Sequence, residues 1–173
     1  YGKVGHEGMK TFLYSYNTER LPGWSGVGKH LEKITPAGRQ ERREELISIF
    51  GLEDCLQQRF SQLSLGQQNR VNLLRYLLQD FDLLIMDESL ANVDELTREK
   101  IILRIKTLYP QHHFLYIAHN VVEVSKFCHE IVVLRGAERH PQSIVVRGKD
   151  ARIDREIDRD SLDQTMLEIV NAF

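Results

Sequence analysis

The chain has 173 residues, 42% of them hydrophobic and 28% charged, a balance expected of one soluble globular domain and not of a disordered chain. Its formal net charge of −2 supplies no basic field, so nucleic acid is not an expected partner. No apolar run approaches the roughly 20 residues that cross a bilayer, and the two cysteines, Cys55 and Cys128, stand in no metal-ligand spacing and are expected to be reduced structural thiols.

Residues 9–17, MKTFLYSYN, mix aromatic, β-branched and polar side chains as a strand does. Pro22, Gly23, Trp24, Gly26 and Gly28 then mark a loop. Thr35 offers an N-cap with Pro36 at the first helical position, Leu46, Ile47 and Phe50 recur at helical spacing, and Gly51 stands where a helix ends. A second helix carries Val71, Leu74, Leu77 and Leu78 on one face. From residue 80 the pattern alternates. Leu83–Met86 is a short apolar run of the kind a parallel strand covered on both faces shows, Ile101, Ile102, Ile105 and Leu108 trace a helix, and 114–118 form the next strand. A helix over 121–127 and a strand over 131–134 follow, closed by Gly136. Such alternation predicts a parallel α/β sheet with crossover helices. The tail holds a strand-like 143–146, a charged stretch over 149–160 and an amphipathic helix through Leu162, Met166, Ile169 and Val170.

Chemistry-bearing residues gather at the carboxyl ends of these strands, where open α/β sheets place ligands. Asp87 and Glu88 end the 83–86 strand, and such a pair suits one carboxylate to Mg²⁺ and the next to orienting a water, although an acidic pair there is as often a solvated turn. His119 ends the following strand, where a lone histidine is more often structural than catalytic. Ser64-Leu65-Gly66-Gln67 opens the 71–78 helix, and Ser64 with Gln67 reads as a capping box. The same turn suits an anion, because free N–H groups and the positive end of the helix dipole meet there and glycine lets a phosphate approach.

Taken together, LSLGQQNRVNLLRYLLQDFDLLIMDESLANVDELTREK closely resembles the signature motif LSGGQ, the Walker B strand and the D-loop of ABC ATPases, and HFLYIAHNVVEVSKFCHEIVVLRG resembles their switch strand and H-loop. The resemblance extends over residues 63–136. It implies a P-loop NTPase-like, RecA-like α/β core with an inserted helical subdomain: core over 1–17 and 72–148, helical subdomain over 18–71, and a C-terminal extension over 149–173. It also implies roles. Ser64, Gly66 and Gln67 would contact the γ-phosphate of ATP bound by the partner subunit, since ABC cassettes work as head-to-tail pairs. Asp87 would hold Mg²⁺, Glu88 would polarise the attacking water, and His119 would reach the γ-phosphate. Asp94 would communicate across the dimer, or simply cap the helix starting near Glu95.

The opening segment FLYSYNTERLPGWSGVGKHL resembles the Q-loop region of the nitrate, sulfonate and taurine importer branch. Aligning on Trp24 puts Asn17 at the Q-loop glutamine, aligning on Pro22 puts Tyr16 there, and Asn17 is preferred as a contact to Mg²⁺ or water. Trp24 is a candidate for the surface that receives a membrane subunit, core packing being its ordinary alternative. This resemblance implies an ATP-binding subunit of an importer, peripheral on the cytoplasmic face of the membrane. Its partners would be a transmembrane permease subunit, a second nucleotide-binding subunit and an extracytoplasmic solute-binding protein. A soluble ABC ATPase of repair or translation, or a non-hydrolysing regulatory subunit, is the alternative.

Three residues depart from the pattern without removing a catalytic side chain: Leu65 for the first signature glycine, Ser89 for the proline after the Walker B glutamate, and Asn120 for the aspartate after the histidine. Leu65 is tolerable if its φ is negative. No GxxxxGK[ST] phosphate loop stands in the 173 residues, so these residues alone are expected to bind ATP poorly and to be inactive. The first residue is Tyr1 and not Met, and the phosphate loop is expected upstream of it. Without that part, an apolar sheet edge should lie open.

Overall fold

A computed structural model of the chain describes residues 8–17, 19–21, 26–155 and 157–172. The chain divides into two compact units, one running to Ile101 and including Pro110–Ile117, the other holding Ile102–Tyr109 and the chain from Ala118 on.

In the first unit, β1 (Phe12–Tyr16), β2 (Leu83–Asp87) and β3 (His113–Ile117) form a parallel sheet in the order β1-β2-β3. Leu13, Leu84 and Phe114 share one rung, and Tyr14, Ile85 and Leu115 the next. Because side chains alternate across a strand, the rungs at Leu84 and Met86 face one way and are buried at those two residues. The opposite face carries Phe12, Tyr14, Tyr16, Leu115 and Ile117, each at least 40% exposed, so β1 and β3 are not covered on both faces. The apolar surface left open is a sheet face. The strand starts are stapled by Asp82, whose carboxylate accepts the N–H groups of Lys10 and Thr11 at 2.7 and 2.8 Å; these bonds hold its pKa below the ordinary value.

The segment before β2 forms three helices: α1 (Val27–Ile34), α2 (Gln40–Phe50) and α3 (Leu65–Leu77). α1 corrects the expected loop, and Thr35 closes α1 instead of capping a helix that follows. Its N–H and hydroxyl both donate to the carbonyl of Leu31, at 3.0 and 2.6 Å. Two glycines at and near the start of α1 hide the helix, since glycine costs about 1 kcal/mol inside one. Gly28 is accepted because it packs close to the carbonyl of Leu56, 3.1 Å from where a Cβ would sit. Gly51 ends α2 in the left-handed conformation at φ 58°, as its position predicts. α3 packs on α1, α2 and β1, and buries Val71, Leu73, Leu74 and Leu77.

α4 (Glu95–Leu108) begins in the first unit and ends in the second. The second unit also holds α5 (Val121–Phe127), β4 (Glu130–Leu134), β5 (Ser143–Arg147) and α6 (Arg159–Ala172). β4 does not join the parallel sheet; it pairs antiparallel with β5, with Val132 opposite Val145. Local hydrophobicity marks β4 as a strand but carries no information about which partner it takes. α6 packs on α5 and β5, and Ile131, Val133, Val146, Ile169 and Ala172 form the buried cluster. Lys106 closes the unit by donating to the carbonyls of Phe127 and Ala151, at 2.8 and 2.9 Å, and pairing with Asp150 at 2.5 Å. Cys55 and Cys128 are both free thiols, and burial pushes Cys128 up to about 11.

Candidate functional site

The turn at the start of α3 is built by its own side chains. Ser64 accepts the N–H of Gln67 through its hydroxyl at 3.2 Å, while the Gln67 side chain accepts the N–H of Ser64 at 2.8 Å, which is the reciprocal capping box. The N–H of Gln68 donates to the Ser64 carbonyl at 2.9 Å. The N–H groups of Leu65 and Gly66 lie at the helix start, where no preceding turn offers them an acceptor, at the positive end of a 13-residue helix. Leu65 is exposed and is not among the non-glycine residues with positive φ, so its replacement of glycine stores no backbone strain.

Asp87 and Glu88 stand at the carboxyl end of β2, both half-buried. The Tyr14 hydroxyl, from the neighbouring strand, donates to the Asp87 carboxylate at 2.5 Å; that bond is the main reason the phenol's pKa is raised. Glu88 adopts φ +49°, and its N–H donates to the carbonyl of Ile117 at 3.0 Å. A glutamate in the left-handed region costs about 1–3 kcal/mol, and such strain concentrates where a side chain must be aimed. Ser89 occupies the proline position for a visible reason: buried, it donates to Ser15, whose carbonyl and hydroxyl oxygens both lie 2.9 Å away. Asp94 caps α4, accepting the N–H of Thr97 at 3.0 Å, and this contact holds its carboxyl below the ordinary range.

The α3 turn and the 89–94 segment meet. A Cβ on Gly66 would run into the backbone carbonyl oxygen of Asn92, so glycine here serves a close approach between two loops. Asn17 joins them to the sheet. Its backbone N–H donates to the carbonyl of Asp87 at 3.2 Å, and its side-chain oxygen accepts from Asn69 at 2.8 Å and Asn92 at 3.0 Å. An amide oxygen offers two lone pairs, so a metal or water contact from that atom requires one of these bonds to open. Just downstream, α3 holds the chain again: Asn72 donates to the carbonyl of Glu19 at 2.9 Å, and Arg75 and the Tyr76 hydroxyl donate to its carboxylate at 3.1 and 3.0 Å. Burial first, and the bond to Glu19 second, push the Tyr76 phenol up to about 12.

Ser64, Gly66, Gln67, Asp87, Glu88, Asp94 and Asn17 thus fall in one unit, and the loops that carry them are linked. His119 belongs to the other unit, exposed, two residues past β3 and just before Asn120, which caps α5 by accepting the N–H of Glu123 at 3.2 Å. Trp24 and Pro22 lie outside the described residues; Tyr16, the alternative for the Q-loop position, is exposed and stacks on Tyr14 with ring centroids 5.8 Å apart. Asn69, Asn92 and Tyr14 were not singled out from sequence. The one available signal is Asn72, an amide standing between Val71 and Leu73 on the helix, with Asn69 three residues before it.

Residues 8–91 match a family model described as ABC transporter. Over that part the chain is similar to the ATP-binding domains of ABC transporters. A nickel import ATP-binding protein of Pseudomonas putida is 34% identical over 127 residues, which are 70% of this chain and 46% of that protein. A methionine import ATP-binding protein of Oenococcus oeni is 33% identical over 147 residues, 82% of this chain and 40% of that protein. The chain therefore spans less than half the length of these curated relatives. A bacterial Atm1-family ABC exporter, solved with ATP bound, superposes with a TM-score of 0.62 at 14% identity over 70% of this chain and 23% of that one. That likeness concerns the fold, a P-loop NTPase-like parallel sheet with helices. Among the described residues, no helix is long and apolar enough to cross a membrane.

Proposed function

We propose that the chain is part of the ATP-binding subunit of an ABC importer, hydrolysing ATP in a head-to-tail dimer and working from the cytoplasmic face of the membrane. The observation that carries this reading is the junction of the Ser64–Gln67 turn with the 89–94 segment at Asn92, beside the strand that ends in Asp87 and Glu88. The residues present fit the terminal phosphate and its magnesium. The helix-start N–H groups of Leu65 and Gly66, with Ser64 and Gln67, suit an anion presented by the partner subunit. The Asp87 carboxylate suits Mg²⁺, which when bound would neutralise charge on the transferring phosphoryl group. Glu88 orients the attacking water, its direction set by the left-handed backbone; the role of His119 at the γ-phosphate rests on the resemblance alone. Asp94 fixes the start of α4 and with it the segment that faces the second subunit.

In this reading the cradle for the other phosphates comes from outside these 173 residues, which alone would bind ATP weakly. The partners are a second nucleotide-binding subunit, a permease subunit and a solute-binding protein. Import is supported by the names of both relatives, one for nickel and one for methionine. The narrower assignment, to uptake of nitrate, sulfonate or taurine, rests on sequence resemblance alone. Turnover of the full-length protein tests the reading. Glu88→Gln should retain nucleotide binding and lose activity by about 10²–10⁴-fold, as removal of a residue that handles the reacting water does. Turnover equal to that of the unaltered protein would refute it.

A further inference from the structure

We infer that Asn17 is a positioning residue that fastens the signature turn and the D-loop to the Walker B strand as one body; this rests on the functional reading above. Three loops must hold a common geometry if one subunit is to present Ser64 and Gly66 to its partner while aiming its own Glu88. They come from positions far apart in the chain, and Asn17 touches all three. Its N–H holds the carbonyl of Asp87, and its side-chain oxygen takes one N–H from Asn69, in the first turns of α3, and one from Asn92, in the D-loop.

The arrangement favours a fastener over an incidental contact. Asn69 is 3% exposed, so its amide has little access to water and loses a partner if Asn17 turns away. Asn92 is gripped from two sides, by the Asn17 side chain and by Gly66 against its carbonyl oxygen. Moving the D-loop therefore disturbs the signature turn directly as well as through the amide oxygen. A single acceptor atom with two amide donors transmits displacement of either donor to the other. The bond from the Asn17 N–H to Asp87 then carries it to the strand that ends at the carboxylates.

The test uses the full-length protein, read by hydrogen exchange and by kinetics. Asn17→Leu is close in size and removes the acceptor. Asn17→Asp keeps an acceptor oxygen in place and, as a carboxylate, can only accept. With Asn17→Leu, exchange at the Gln67, Gln68, Ala91 and Val93 amides should accelerate about tenfold, the scale of one or two lost hydrogen bonds. The kcat should fall about tenfold with KM for ATP nearly unchanged, because the signature turn is needed in the closed state and not for first binding. Asn17→Asp should restore the slow exchange at both loops. Unchanged exchange at either loop, an Asn17→Asp protein that exchanges like Asn17→Leu, or faster exchange with unchanged kcat in Asn17→Leu would each overturn the inference. Absence of ATP turnover in the unaltered protein would overturn the functional reading instead, and leaves the exchange measurement able to decide the fastening.

Discussion

In the unit that carries Asp87 and Glu88, irregular backbone is fixed by polar side chains: Ser64 and Gln67 hold a helix start, Ser89 holds Ser15, Asp82 holds Lys10 and Thr11, and Asn17 joins three loops. The unit of β4, β5 and α6 instead closes over an apolar cluster of Ile131, Val133, Val146, Ile169 and Ala172, with Lys106 as its main polar clasp. Apolar packing is non-directional and tolerates small shifts, whereas hydrogen bonds fix distance and angle. The contrast teaches that stability and placement are supplied by different residues, and that placement is concentrated where chemistry is proposed.

Truncating buried side chains should affect both units alike. Leu74→Ala in the first and Ile169→Ala in the second should each lower stability by about 2–5 kcal/mol in urea unfolding. A loss below about 1 kcal/mol at Ile169 would mean that the second unit does not depend on its cluster. Each unit also has a glycine pressed against a carbonyl oxygen, Gly66 on Asn92 and Gly148 on Cys128. Gly66→Ala and Gly148→Ala should both cost about 1–3 kcal/mol, but only Gly66→Ala should lower ATP turnover beyond what the stability loss explains. Equal effects on turnover would erase the distinction between packing and placement.

The smallest effect concerns Asp94. Its folded-state pKa is depressed by the Thr97 N–H and hydroxyl, so its contribution is present above the ordinary aspartate value of 3.8 and is lost as pH falls through the lower folded value. Amides in the first turn of α4 should therefore exchange faster only in acid. The Asp94→Asn substitution keeps a capping oxygen that does not titrate, and should remove that pH dependence. Persistence of the acid response in the variant would assign it to another group.

Much of this was legible locally. The β2 run, the apolar positions of α4, the Ser64 and Gln67 box and the terminating Gly51 each follow from spacing within a few residues. α1 was not, because Gly26 and Gly28 read as loop punctuation and only Val27 and Leu31 mark its buried side. The pairing of β4 with β5 was hidden because strand partners are chosen by tertiary packing. The Asn17 contacts span 52 and 75 residues, and no periodicity connects such positions. Glu88 was identified as an acid at a strand end, but its left-handed backbone has no signature in sequence. His119 acquired a role only through resemblance.

The central claim is that the Ser64–Gln67 turn meets nucleotide held by a second subunit, and MgATP-dependent association of the full-length Glu88→Gln protein tests it most directly. The account predicts a monomer without nucleotide, a doubling of mass by light scattering with MgATP, and loss of that doubling when Ser64→Arg is added. A protein that stays monomeric at saturating MgATP, or that dimerises equally well with Ser64→Arg, would contradict it.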